Sequence, residues 1–265
     1  HVGLSAGLPI YNALGDTQAS FLGACPPLAS TPPDPSNPGS PGSPGHPWSH
    51  RGADGLVRAI FLNIGTGGQI CWAVPHFQPP TGAVETRPLL PGRYLRVGAS
   101  LCGGEAYAWL NRTVRAWLAE FGVQVGEQAV YERLNALSEE CDDVEGLEVK
   151  TTFLGVRGDP AVQVDPSAAA GSIEGVRLDN MRLGALARAT LVGIVDELYE
   201  LYLAHGGEAV GHTHLVATGG GVRCNPLLPR LIEERFGLPV QVPRAQETAA
   251  MGAALLASGR WAASG

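Results

Sequence analysis

The most regular hydrophobic periodicity in the chain runs through Ala106, Trp109, Leu110, Val114, Trp117, Leu118 and Phe121. This i, i+3, i+4 spacing is that of one helix face, and Gly122 stands where a glycine stop belongs. A longer helix is expected from about Asp179 to Ala204, with Asp179 as cap, a stripe through Leu183, Leu186, Ala187, Leu191, Ile194, Val195, Leu198 and Tyr202, and Gly206 and Gly207 at its end. A shorter helix is expected over Glu127–Leu137. The runs "LVRAIFLNI" and "QICWAVP" flank "GTGG" and predict a hairpin, and "YLRVGASL", Tyr94 to Leu101, predicts a third strand. Downstream come a strand "HLVAT", a "GGG" turn, a helix "NPLLPRLIEERFG", a strand "PVQVP" and a final helix "QETAAMGAALLASG". Near the start, in "YNALGDTQASFLGA", Asp16 follows a glycine between an apolar run that reads as a strand and a small-residue run that reads as a helix. A hairpin followed by alternating helices and strands predicts an α/β layer architecture with a mixed sheet and flanking helices.

Composition narrows the class. The chain has 265 residues, enough for one large or two modest domains with a core that needs no staple. Its net charge of -7 excludes a nucleic-acid or anionic-membrane surface. Five scattered cysteines with no C-x-x-C pair argue against a disulfide framework or a zinc site, and read as reduced thiols of a cytoplasmic protein. Apolar runs stop well short of the roughly 20 residues a membrane span needs, so a soluble chain is expected. It begins at His1 inside what reads as structured sequence, so missing upstream residues are expected. Residues 26–52, "PPLASTPPDPSNPGSPGSPGHPWSHRG", form a Pro/Gly/Ser tract that reads as a disordered, exposed insertion.

Two glycine-rich turns follow strand candidates: "NIGTGGQ" and "ATGGGVRCN". Glycine lets backbone N–H groups approach an anion closely, and a turn opening into a helix adds the positive end of the macrodipole. Neither turn fits a dinucleotide fingerprint, because Ile70 and Cys224 stand where a third glycine is required. A P-loop is excluded as well, since the only lysine, Lys150, follows Val149. "HTH", His212 to His214, reads as a surface loop rather than a metal pair, and "NRT", Asn111 to Thr113, sits inside a predicted helix rather than at a glycosylation site.

"LPIYNALGDTQASFLGA", "LNIGTGGQI", "SLCGGEAYAWL", "LVATGGGVRCNPLLPRLIEERFGLPV" and "QETAAMGAALLA" occur in the order and approximate spacing of the C-terminal half of the FGGY carbohydrate kinases, which the chain resembles. Within that family the sedoheptulokinase branch is the most similar. The resemblance implies an actin-like (ribonuclease H-like) ATPase fold, with residues 1–25 ending a first domain, 26–52 inserted, and 53–265 forming the nucleotide-binding C-terminal domain. It implies ATP with Mg2+ as phosphate donor and a small sugar as acceptor. Asp16 takes the family's general-base position beside the sugar hydroxyl, a role that suits a carboxylate in phosphoryl transfer; read without the resemblance, it caps the helix starting at Thr17. Gly65, Thr66 and Gly67 resemble the second phosphate loop, Gly104 a nucleotide-contacting glycine, Gly219, Gly220 and Gly221 the adenosine turn, and Asn225 an adenine-side residue. Cys224 departs from relatives that carry Asn there. The family's N-terminal D-x-G-T-x-S motif is absent, so the resemblance implies a chain inactive by itself. Kinases of xylulose, ribulose or glycerol, and a non-catalytic actin-like nucleotide-binding module, remain open as alternatives.

Overall fold

A computed structural model describes residues 14–25, 58–159, 164–165, 169–245 and 247–258. The 26–52 tract and the apolar run through Ala13 lie outside them. The chain divides into two compact units, residues 57–243 and residues 1–56 with 244–265.

The larger unit is built on a six-stranded mixed sheet. Its strands are β1 (Ala59–Ile64), β2 (Gly68–Val74), β3 (Val84–Leu90), β4 (Arg93–Ser100), β7 (His214–Thr218) and β8 (Val240–Gln241), in the order β3-β4-β2-β1-β7-β8. The predicted hairpin is β1 and β2, antiparallel with Ile60 opposite Trp72 and Ile64 opposite Gly68. β7 adds parallel to β1. β1 is an almost unbroken apolar run because both of its faces are buried, as expected of a strand in the middle of a layered sheet. One margin of the sheet, β3, had no counterpart in the sequence reading: "VETRPLL" carries two charges and Pro88, and its register shifts between Pro88 and Leu90. Two further strands, β5 (Glu148–Lys150) and β6 (Ser172–Glu174), pair with each other.

Helices α2 (Gly103–Glu120), α3 (Glu127–Glu140), α4 (Leu183–Ala204), α5 (Gly220–Cys224) and α6 (Leu227–Phe236) complete this unit. Ile60, Leu62, Ile64, Ile70 and Trp72 share one core with Ala106 and Leu110 of α2, Leu134 of α3 and Leu191, Ile194 and Leu198 of α4. Gly122, at φ +77, ends the α2 segment as predicted. The expected apolar stripe outruns the core, however: Val114 is buried, but Trp117 and Phe121 are 51% and 86% exposed.

Two other expectations are corrected. Asp179 does not cap α4; it pairs with Arg177 at 3.4 Å, and the N-cap position falls at Arg182. The reason is Asn180, fully buried, whose Oδ1 accepts the Arg177 N–H at 2.7 Å while its Nδ2 donates to the carbonyls of Glu145 and Gly175. That turn occupies the residues that would otherwise have formed the first helical turn. "HTH" is not a surface loop: His212 and His214 are both buried, and the Nδ1 of His212 lies 2.8 Å from the hydroxyl of Tyr202. Burial, with a smaller contribution from neighbouring His214, lowers the His212 pKa to about 4 against an opposing hydrogen bond to the Gly207 backbone.

The smaller unit contains α1 (Asp16–Ala24) and α7 (Thr248–Ala257), which pack against each other. The final helix therefore groups with α1. The crossing needs two glycines: a Cβ on Gly23 would stand 2.6 Å from the Gly252 nitrogen, and one on Gly252 would stand 2.8 Å from the Gly23 nitrogen.

Candidate nucleotide site

Within the larger unit, the β1–β2 turn is latched onto the start of α2. Gly104 N–H donates to the Gly65 carbonyl at 2.8 Å, and Glu105 N–H donates to that of Thr66 at 3.0 Å. A Cβ on Gly104 would lie 2.5 Å from the Gly65 oxygen, so two backbones meet with no room for a side chain. Its N–H is committed to the turn, which Gly104 thereby holds in place. The Thr66 hydroxyl stands on the exposed crown of that turn.

The second glycine turn closes over the end of β1. Gly219 has φ +101 and ψ 166, a region essentially reserved for glycine, and a Cβ there would be 2.6 Å from the carbonyl carbon of Ile64. Gly220 faces open space. The two turns, far apart in sequence, are brought together because β1 and β7 are parallel neighbours, so the loops that follow them emerge at the same end of the sheet.

Between the turns opens a cavity of about 520 Å³, within the usual size of a small-molecule site. Of the sequence candidates, Gly65, Thr66, Gly104, Gly220, Gly221 and Asn225 line it, whereas Gly67 and Gly219 shape the turns without lining it. Leu191, Ile194 and Leu228 supply apolar wall. Neither Lys nor Arg is among the described lining residues.

Sequence reasoning missed one whole side. Gln128, Tyr131 and Asn135 line the cavity at helical spacing along α3, and Tyr107 faces them from α2, its ring 6.2 Å from that of Tyr131. The signal was present as a polar and aromatic stripe on α3, but nothing in it distinguished a cavity wall from a solvated face. Asn225 lines the same cavity. It is buried, its Oδ1 accepts the N–H groups of Leu227 at 3.0 Å and Leu228 at 3.3 Å, and its Nδ2 donates to Asn135 Oδ1 at 2.9 Å. It starts α6 and braces the wall. Burial raises the Tyr107 hydroxyl well above its ordinary range, against the opposing effect of hydrogen bonds from Ser138 and Asn225, so Tyr107 is neutral at any physiological pH.

Asp16 belongs to the smaller unit. The N-cap position of α1 is Gly15, so Asp16 is the first helical residue rather than the cap, and it is exposed. Gln18 folds back over Gly15: a Cβ on Gly15 would lie 3.0 Å from the Gln18 amide carbon. Among the described residues no group of three or more His, Cys, Asp or Glu side chains could hold a metal ion. No described helix is long and apolar enough to cross a membrane.

Residues 62–261 match the profile described as the FGGY family of carbohydrate kinases, C-terminal domain. A sedoheptulokinase of Homo sapiens is 30% identical over 201 residues, covering 74% of this chain and 40% of that protein. A glycerol kinase of Thermus brockianus is 28% identical over 254 residues, covering 95% of this chain and 43% of the relative. In fold, a xylulose kinase from Rhodospirillum rubrum superposes with a TM-score of 0.70 at 23% identity, covering 97% of this chain and 44% of that one. Plasmodium falciparum glycerol kinase with ADP gives a TM-score of 0.62 at 17% identity, covering 96% and 43%. The fold is the actin-like one of these sugar kinases. The chain thus spans about 40% of the length of the sedoheptulokinase it matches.

Proposed function

The chain belongs to the FGGY family of carbohydrate kinases, and on that premise we propose that it is the nucleotide-holding part of an ATP-dependent kinase that phosphorylates a sugar hydroxyl. The acceptor we assign is a ketose, sedoheptulose first. The observation that carries this reading is the convergence of "GTGG", "GGEA" and "GGGVRCN" on one cavity of about 520 Å³, large enough for a nucleotide. The β1–β2 turn meets the phosphates with its own backbone and the Thr66 hydroxyl, while α2, α3 and α5 enclose the nucleoside.

Asp16 accepts the proton of the attacking sugar hydroxyl as that oxygen bonds to the γ-phosphorus and the bond to ADP breaks. An exposed, uncapped position on the first turn of α1 suits a carboxylate that must meet substrate. Mg2+ enters with ATP and neutralises phosphate charge, which matters in a cavity whose described lining lacks Lys and Arg. Since the chain spans 40% of its sedoheptulokinase relative, residues 1–265 bind nucleotide without turning over, and the complete protein performs the transfer.

The test is ADP release by the complete protein with Mg·ATP and a panel of sedoheptulose, xylulose, ribulose and glycerol. Fastest turnover on sedoheptulose is expected; preference for another of the four reassigns the acceptor, and no turnover on any sugar, with ATP still bound, favours a nucleotide-binding module. Robust turnover by residues 1–265 alone would overturn the division of labour.

A further inference from the structure

Among the described lining of the cavity, one side chain carries a formal charge, that of Glu105. Glu105 lies on the first turn of α2, and its own N–H donates to the Thr66 carbonyl at 3.0 Å. The carboxylate is therefore anchored beside the β1–β2 turn. Arg112, about two turns further along α2, reaches back and donates to Glu105 Oε1 at 2.5 Å, since long helical side chains tilt toward the N-terminus. That contact leaves Oε2 with no partner among the described residues.

Gln128 lines the same cavity from α3. Its Nε2 donates to Glu132 Oε1 at 3.1 Å, and a carboxylate only accepts, so the contact fixes the amide and leaves Gln128 Oε1 without a partner among the described residues. Burial raises the Tyr131 hydroxyl first and the Glu127 charge adds to it, while Glu105 raises it further and Arg112 opposes them. Glu105 and Arg112 thus share one neighbourhood with the Tyr131 side of the wall. The described lining offers two open oxygen acceptors and neither Lys nor Arg. Phosphate oxygens find nothing to bind in such a pair; neutral donor groups do.

We propose that the Glu105 carboxylate recognises the ribose of the nucleotide, accepting from its hydroxyl pair with Gln128 Oε1 as the neighbouring acceptor, so that the site selects ribonucleotides over nucleotides lacking those hydroxyls. This rests on the nucleotide reading of the cavity. The place of Glu105 decides between sugar and base. Ribose joins the phosphates through a single methylene, whereas the donor groups of a base lie beyond the sugar. With phosphates on the β1–β2 turn, a carboxylate anchored to Thr66 through its own backbone stands at the sugar. Hydroxyl-to-carboxylate hydrogen bonds are charge-assisted, and a site built on them rejects a ligand that leaves the acceptor unpaired.

Isothermal calorimetry on the complete protein, with ADP, 2′,3′-dideoxy-ADP and IDP as probes, tests this. ADP should bind about tenfold or more tighter than the dideoxy form, the value of one hydrogen bond to a charged group. In Glu105→Ala that ratio should shrink to about threefold or less, while the nucleotide-free melting midpoint moves by only a few degrees. Glu105→Gln, which keeps an acceptor oxygen without the charge, should give an intermediate ratio. A merely structural Glu105 would weaken both nucleotides alike and leave the ratio standing, which overturns the inference. A ratio near one for the unaltered protein overturns it without any variant. If Glu105→Ala narrows instead the ratio of ADP to IDP, in which an oxo group replaces the amino group, and leaves the dideoxy ratio as it was, the carboxylate serves the base and the assignment to ribose is overturned. If none of the probes binds the unaltered protein, the nucleotide reading itself falls.

Discussion

Gly103 and Gly67 meet backbone to backbone: a Cβ on Gly103 would lie 2.5 Å from the Gly67 carbonyl carbon and 2.6 Å from its oxygen. The start of α2 and the β1–β2 turn are therefore one rigid piece, and the fit tolerates no methyl group. Gly103→Ala should cost roughly 1–3 kcal/mol of stability, as overpacking against immobile backbone does, and should lower ADP affinity by displacing the turn. Urea unfolding and calorimetry on the same variant would read both. Unchanged values would mean that the turn yields freely.

Asp16→Asn would remove the proposed proton acceptor while keeping size and shape. In the complete protein, phosphoryl transfer should fall by about 10²–10⁴-fold, the usual share of a general base, with ATP affinity unchanged. Initial rates with saturating sugar and ATP settle it, since wild-type rates would remove Asp16 from the chemistry.

His212 should make the larger unit acid-sensitive. Its folded value of about 4 lies below the ordinary 6.5, so the folded protein resists a proton that the unfolded chain accepts. Above about 6.5 the group is neutral in both states and its contribution is fully present. Stability should decline as pH falls from 6.5 toward 4, by on the order of 3 kcal/mol in all, and level off below. Denaturant midpoints across that window should show the decline for the unaltered chain and a flatter profile for His212→Gln.

The pair of glycines where α1 crosses α7 gives a fourth expectation. Gly252→Val should separate the helices and cost roughly 1–3 kcal/mol in the smaller unit, because the added atoms meet the backbone of Ala19 and Gly23. Protection of α1 amides against hydrogen exchange should fall in that variant, with those of β1 and β2 unaffected.

Much of this architecture was legible in the amino-acid pattern, for identifiable reasons. The hairpin of β1 and β2 announces itself because its strands are apolar on both faces and the turn is glycine-rich. α2 and α4 do so because each buries one stripe against the sheet. β3 is silent, since a marginal strand with Glu85, Arg87 and Pro88 lacks the alternation that marks a half-buried one. The cap of α4 is misread because Asp179 has cap chemistry, while the decision is taken by Asn180 through contacts with Glu145, a residue distant in sequence. The same limit applies to the candidate site. Glycines that line or shape the cavity stand out locally, but Asn135 becomes informative only when Cys224 and Asn225 are seen against it, some 90 residues away.

Pro88 has a final implication for how this molecule keeps company. Among the described strands β3 is the outermost on one side of the sheet, and an outer strand ordinarily invites another chain to continue it. An imide nitrogen cannot donate, and the shifted pairing that follows at Leu90 bends the strand away from a straight template. An incoming strand meets a frayed hem rather than a seam. Along that strand, a second copy of the chain finds a poor template for pairing.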